Sequence, residues 1–120
     1  MTFTIYGETP SKKNSRINTR SGRSFPNKKF TEWHDVELLA LSFRKEKYPP
    51  IDSPSKISVE FVHGDKRRRD SDNQLSSILD LLVDARILKD DGWEIVREVS
   101  IRNTFERGKA MAIISVEALG

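Results

Sequence analysis

The chain has 120 residues and no cysteine, which excludes disulfides, thiolate metal sites and cysteine nucleophiles. Hydrophobic residues make up 36% and charged residues 32%, a balance that predicts one folded domain over residues 1–120. The N-terminus shows no basic segment followed by a long apolar stretch, and no apolar run approaches the roughly 20 residues of a membrane span. We therefore expect a cytoplasmic protein that is not bound to a membrane.

Positive charge is concentrated in two blocks, although the net charge is only +3. The first block lies between residues 10 and 30 and contains no acidic residue, and the second is the run Lys66–Arg69. Two basic blocks in one small domain favour a polyanionic partner such as nucleic acid. The basic residues of the first block are Lys12, Lys13, Arg16, Arg20, Arg23, Lys28 and Lys29.

The first half of the chain predicts a strand, a long loop and a helix. Residues 2–6 alternate β-branched and aromatic side chains, which is typical of a strand. Residues 7–27 are rich in Pro, Ser, Asn, Gly, Lys and Arg, and they predict an irregular basic loop. Residues 30–47 show helical periodicity and end before two prolines. We expect the buried face of this helix to contain Trp33, Val36, Leu39, Ala40 and Phe43.

The second half predicts a strand, a helix and two more strands. The strand covers residues 56–63, and the amphipathic helix runs from about residue 73 to 86. A turn at 89–92 precedes strands at 93–102 and 110–118, which we expect a hairpin loop to join. The helix should bury Leu75, Ile78, Leu79 and Leu82. The order β-α-β-α-β-β predicts an α/β (α+β) domain, with a mixed sheet packed with two helices.

Carboxylates flank the second predicted helix. Asp70 and Asp72 lie two residues apart before it, and Asp91 lies in the turn after it, beside Asp90. Hard carboxylate oxygens suit Mg²⁺, and a bound divalent ion could activate water and stabilise charge on a phosphodiester. The spacing leaves an alternative open, because an aspartate before a helix is commonly a cap and Asp-Asp-Gly is commonly a turn.

The distance along this helix predicts a dimer. Fourteen helical residues extend roughly 20 Å, and residues 87–91 span at most about 17 Å, so Asp91 barely reaches Asp70 and Asp72 of its own chain. Antiparallel pairing of two such helices about a twofold axis would bring Asp91 to the other subunit's Asp70 and Asp72. We therefore expect a homodimer whose metal sites are completed between chains.

Three segments resemble the RusA family of Holliday-junction resolvases. They are Pro10–Asn14, the run Asp65–Asn73 and, after an amphipathic helix, Lys89–Asp91. The resemblance covers essentially the whole chain. It implies small α/β homodimers that bind four-way DNA junctions and cut them symmetrically with Mg²⁺, or with Mn²⁺ as a substitute.

The resemblance also assigns residues. The family's essential acids fall on Asp70, Asp72 and Asp91, which would be the catalytic and metal-binding residues. Members are common in phages and prophages, so a prophage origin is expected. One departure is Ser76, which occupies the position where members often carry a catalytic lysine. We assign DNA contacts to Lys12, Lys13, Asn14, Arg16, Lys66, Arg67, Arg68, Arg69 and Lys89.

Two other functions remain open at this point. A non-catalytic basic DNA-binding protein would bind DNA in EDTA and in Mg²⁺ without cutting it. A metal-dependent nuclease acting on another branched substrate or on RNA would ignore intact four-way junctions. The isolated residues His34 and His63 are expected to be surface or hydrogen-bonded structural residues, not a zinc site. Trp33 and Trp93 are expected in the core.

Overall fold

The computed structural model describes residues 1–11, 16–18, 24–26, 28–44 and 47–120. Within these ranges no helix is long and apolar enough to cross a membrane. A short hairpin, β2 and β3, lies in the segment that was predicted to be an irregular loop. The elements are β1 (Thr2–Tyr6), β2 (Arg16–Asn18), β3 (Ser24–Pro26), α1 (Lys28–Ser42), β4 (Ser55–His63), α2 (Ser71–Asp84), β5 (Val96–Phe105) and β6 (Met111–Ala118).

The main sheet has the strand order β1-β6-β4-β5, which confirms a mixed sheet. β6 pairs antiparallel with both β1 and β4, while β5 pairs parallel with β4. The predicted hairpin between the last two strands is therefore wrong, because β4 lies between them. The parallel β4–β5 pair needs a crossover, and α2 supplies it. The connection from β5 to β6 instead passes the end of β4, where Glu106 N–H donates to His63 O and Gly108 N–H to Gly64 O.

The core lies between α2 and one face of this sheet. Alternate residues of β4 and β6 point into it, and Phe61 and Ile114 are fully buried. From α2, the core receives Ile78, Leu81 and Leu82. The predicted stripe is thus confirmed for Ile78 and Leu82. Leu75 and Leu79 also pack against the core but are only partly buried.

The predicted buried face of α1 is largely wrong. Val36, Leu39 and Phe43 are exposed, with Phe43 accessible to 78%, and Ala40 is exposed as well. Phe30 is the buried side chain of this helix, while Trp33, Leu38 and Leu41 pack partly against the core. Both sets recur at helical spacing, so periodicity alone could not choose between the two faces. Contact with α2 made the choice.

Candidate active site

Asp70 is the N-cap residue of α2, but its carboxylate makes no capping hydrogen bond. Its backbone carbonyl accepts the N–H groups of Asn73 and Gln74, at 3.1 and 3.2 Å. The Asp72 side chain follows in the first turn and is exposed. The alternative that the Asp70 carboxylate serves as a helix cap is therefore not supported. Both carboxylates face solvent at the helix N-terminus, where backbone N–H groups also favour a bound anion.

Glu8 joins three parts of the chain around this helix end. Its Oε1 lies 2.8 Å from His63 Nδ1 and accepts a hydrogen bond from Arg69 Nε at 2.7 Å. Next to it, Gln74 Nε2 donates to Thr9 O at 2.8 Å. These bonds fasten the segment after β1 to the end of β4, to the basic run and to α2.

A second set of contacts reaches the residue between the two aspartates. His63 Nε2 lies 2.8 Å from Asn103 Oδ1, and Asn103 Nδ2 donates to Ser71 Oγ at 2.8 Å. His63 is therefore a hydrogen-bonded structural residue, as the sequence analysis predicted. The roles of Glu8 and Asn103 were missed, because each depends on a contact between residues far apart in the chain.

The basic run divides into two kinds of arginine. Arg69 is accessible to only 18% and binds Asp65 Oδ1 through Nη1 at 2.8 Å, whereas Arg68 is accessible to 93% and Arg67 is similarly open. The Arg69 bond, assisted by the Arg67 backbone N–H, lowers the pKa of Asp65 to about 2, and the same bond raises the pKa of Arg69. Arg69 thus holds the loop, while Arg67 and Arg68 are exposed to a ligand.

An open cleft of about 360 Å³ brings the sequence motifs together. Pro10 and Ser11 line one part of it, and Arg67, Arg68 and Asp70 line another. Lys12, Lys13 and Asn14, together with Arg20 and Arg23, lie outside the described residues. Arg16 is described only as part of the backbone of β2. Pro10 and Ser11, the described residues of the first motif, therefore meet the basic run and one predicted acid at a single cleft.

Two buried oxygens in the wall of this cleft have no hydrogen-bond partner among the described residues. They are Gln74 Oε1 and Thr9 Oγ1, and both residues are 2% exposed. A buried polar atom without a partner is unusual, and an ordered water or a bound ligand commonly supplies one. These two oxygens are therefore candidate positions for an ordered water beside the cleft.

Asp91 lies beyond the opposite end of α2, in an exposed turn. Ile51 holds this turn, since its N–H donates to Ile87 O at 2.9 Å and its carbonyl accepts Lys89 N–H at 3.0 Å. Lys89 Nζ pairs with Asp52 Oδ2 at 3.1 Å. Among the described residues, Asp70, Asp72 and Asp91 of one chain do not form a three-ligand cluster with donor atoms within 4.8 Å.

The comparisons with known proteins agree with these features. Residues 7–117 match the family described as endodeoxyribonuclease RusA. The chain belongs to the RusA family. A crossover junction endodeoxyribonuclease RusA from Aquifex aeolicus (strain VF5) is 28% identical over 105 residues, which cover 88% of this chain and 81% of that protein. The family resemblance and the nuclease class predicted from the sequence are confirmed.

Of the two tryptophans that were expected in the core of this RusA-family chain, one lies at the surface. Trp93 is not in the core, because its side chain is 72% exposed, with the Arg97 guanidinium 5.4 Å from the ring centroid. Trp33 does pack against the core. Ser76 is partly buried on α2, one turn after Asp72, where it offers a hydroxyl and no positive charge.

Proposed function

We propose that this RusA-family chain is a Mg²⁺-dependent endonuclease that resolves Holliday (four-way) junctions by paired, symmetric phosphodiester cleavage. The observation that carries the proposal is the cleft where Asp70 lies beside exposed Arg67 and Arg68, in a chain that matches the family over residues 7–117. The relative from Aquifex aeolicus is named for its action on crossover junctions. Cytoplasmic location and prophage origin stay predictions.

The donor chemistry fits a hard divalent ion. Asp70 and Asp72 offer exposed carboxylate oxygens at one helix end, and the Asp70 carboxylate makes no capping bond. We infer that these two residues and Asp91 hold Mg²⁺, with Mn²⁺ as a substitute. When bound, the ion would lower the pKa of a water and stabilise charge on the leaving oxygen.

The chain's own residues would position the DNA strand. Arg67 and Arg68 can bind phosphate oxygens through charge-assisted hydrogen bonds. The bonds of Glu8 to His63 and Arg69 hold the loop that carries these two arginines before DNA binds, while their side chains stay exposed to the strand. Ser76 cannot provide the positive charge of the family lysine, and Lys89 or an exposed arginine is our candidate for that role.

A twofold dimer would complete each metal site. Leu75, Leu79 and Val83 form one row of α2 that packs against the core but stays partly exposed, next to the row that holds Asp72 and Ser76. Antiparallel contact between two such rows would direct the partner's Asp91 towards Asp70 and Asp72. We infer that this row is the centre of the subunit contact.

The Leu79→Glu substitution should weaken dimerisation by about 30-fold or more, because it puts a charge at the centre of the contact. The measurement is sedimentation equilibrium over a range of protein concentrations, with circular dichroism to confirm folding. Leu39→Glu is the matched control, since Leu39 is an exposed leucine on α1. If Leu39→Glu dissociated the dimer and Leu79→Glu did not, the subunit contact would be formed by α1 and not by α2.

Reversing the charge of both exposed arginines, Arg67→Glu with Arg68→Glu, should weaken binding to every DNA sequence alike. The slope of log K against log salt should fall by about 2, because roughly two phosphate contacts are lost. The measurement is gel-shift affinity for a four-way junction at several NaCl concentrations, in EDTA. Lys56→Glu, at the opposite end of β4, is the control for a single charge reversal away from the cleft and gives half of the change in net charge. Unchanged affinity in the double variant would exclude these arginines as DNA contacts.

The function itself is tested by incubating the chain with a mobile four-way junction and Mg²⁺. Paired nicks at symmetric positions in opposing strands are the expected result. Flap DNA and structured RNA are incubated in parallel. Cleavage of these substrates without cleavage of the junction would favour a nuclease with another target. If the chain bound the four-way junction tightly but cut no substrate with any divalent ion, it would be a non-catalytic DNA-binding protein.

A further inference from the structure

A separate cluster of metal-binding side chains lies where α1 contacts the C-terminal half of α2. His34 of α1 points its Nε2 at two carboxylates of α2, 2.7 Å from Asp84 Oδ2 and 3.8 Å from Asp80 Oδ2. One donor atom from each residue lies within 4.8 Å of the other two. The His34 side chain is only 14% exposed, so its orientation is set by packing.

We propose that His34, Asp80 and Asp84 bind a transition-metal cation such as Zn²⁺ and thereby link α1 to α2. A tetrahedral ion about 2.0–2.1 Å from each donor separates the donors by about 3.3 Å. The two distances from Nε2, 2.7 and 3.8 Å, lie on either side of that value, so side-chain shifts of about half an ångström suffice. The three residues leave a fourth position for water.

The charges around the cluster favour a cation. Asp80 and Asp84 are like charges one helical turn apart, and both lie near the C-terminal end of α2, where the helix dipole is also negative. Asp35 adds a third carboxylate, 3.8 Å from His34 Nδ1. A divalent ion on the Nε2 side would offset two of these three negative charges, with Asp35 beside the other ring nitrogen, where metal-binding histidines commonly have a carboxylate.

The donor set selects the class of metal. An imidazole nitrogen with two carboxylates suits Zn²⁺ and neighbouring transition ions, while Mg²⁺ and Ca²⁺ prefer oxygen ligands alone. From the sequence, His34 was expected to belong to no zinc site, because this histidine is isolated in the chain. The proposed site departs from that expectation, since the fold brings Asp80 and Asp84, which are distant in the sequence, next to His34. It uses none of the proposed nuclease residues, so it does not depend on the proposed function.

The consequence of binding would be a firmer attachment of α1. This helix has one buried side chain, Phe30, and it directly follows the β2–β3 hairpin of the basic block. A cation that joins α1 to α2 would hold the start of α1 against the domain. Lys28 and Lys29, the last basic residues of the first block, lie at that start. The cation would also raise the melting temperature, by an amount that grows with the logarithm of the free zinc concentration above the Kd.

The test is isothermal titration of the full chain, stripped with EDTA, with ZnCl₂ in a buffer that contains millimolar Mg²⁺. We expect one Zn²⁺ per chain and a melting temperature raised by several degrees. Asp84→Asn and Asp80→Asn should each weaken the affinity by at least about tenfold and abolish the thermal shift. These two variants replace partly or fully exposed side chains, so they keep the test valid if His34→Ala fails to fold.

Two controls make the assignment specific. His63→Ala removes the other histidine of the chain and should leave zinc binding unchanged. The Asp70→Asn, Asp72→Asn double variant should also bind zinc normally, which would separate this site from the nuclease site. The proposal is wrong if the parent chain binds no zinc. It is equally wrong if binding is lost in either control or survives in both Asp80→Asn and Asp84→Asn.

Discussion

The Asp70→Asn chain is expected to bind four-way junctions at least as tightly as the parent chain and to cut almost none of them. The substitution replaces a negatively charged carboxylate that would bind the metal with a neutral amide. We expect the rate of cleavage to fall roughly 10³-fold or more, as when a group that stabilises charge at a reacting centre is lost. Binding should hold or improve, because one negative charge beside the DNA phosphates disappears. Single-turnover cleavage of a labelled junction, with gel-shift affinity in Ca²⁺, measures both effects.

The same assay can decide between the neighbouring acids. Asp72→Asn and Asp91→Asn should behave like Asp70→Asn, whereas Asp90→Asn should keep most of the activity. The Asp90 carboxylate is folded back over this turn and lies close to Gly92. Its Oδ2 would be only 3.1 Å from a Cβ atom if Gly92 carried one. Full cleavage by Asp70→Asn or Asp72→Asn would remove the proposed metal site. If Asp90→Asn lost activity while Asp91→Asn kept it, the third metal ligand would be Asp90 and not Asp91.

Mixing two inactive chains, Asp70→Asn and Asp91→Asn, should restore nicking. If each site combines Asp70 and Asp72 of one subunit with Asp91 of the other, a mixed dimer has one intact site and one doubly altered site. Random exchange gives mixed dimers in half of the population, so about one quarter of the sites become active. The product should be a junction nicked in one strand, since paired cleavage needs two intact sites.

A matched mixture provides the control for this experiment. Asp70→Asn mixed with Asp72→Asn leaves one altered ligand in every site of every dimer, so it should stay inactive. Subunit exchange can be verified with chains that carry different affinity tags. If exchange is complete and the Asp70→Asn, Asp91→Asn mixture still cuts nothing, the sites are not shared between subunits, and the dimer geometry proposed above is refuted.

The sequence predicted the local elements of this fold well. The bounds of β1 agree with those predicted, and both helices and the last two strands were found with ends shifted by a few residues. Hydrophobic period and turn chemistry act over neighbouring residues, so they can be read directly along the chain. What they could not provide is strand pairing, and the predicted hairpin between β5 and β6 failed for that reason.

The candidate site shows the same division. The spacing of Asp70, Asp72 and Asp91 around one helix, and the exposed arginines before it, were visible in the sequence. The contacts that hold Asp70 and its loop were not. Glu8 reaches His63 and Arg69 only because β1 and β4 lie in one sheet, with β6 between them.

By itself, the sequence determined the order of elements, the acidic and basic motifs and the family, because each is a property of residues close together in the chain. Only the tertiary structure decided which face of α1 is buried, which arginine is held by carboxylates, and that His34 lies against two aspartates. Those outcomes depend on packing between distant segments, where several arrangements satisfy the same local pattern and burial of the core selects one.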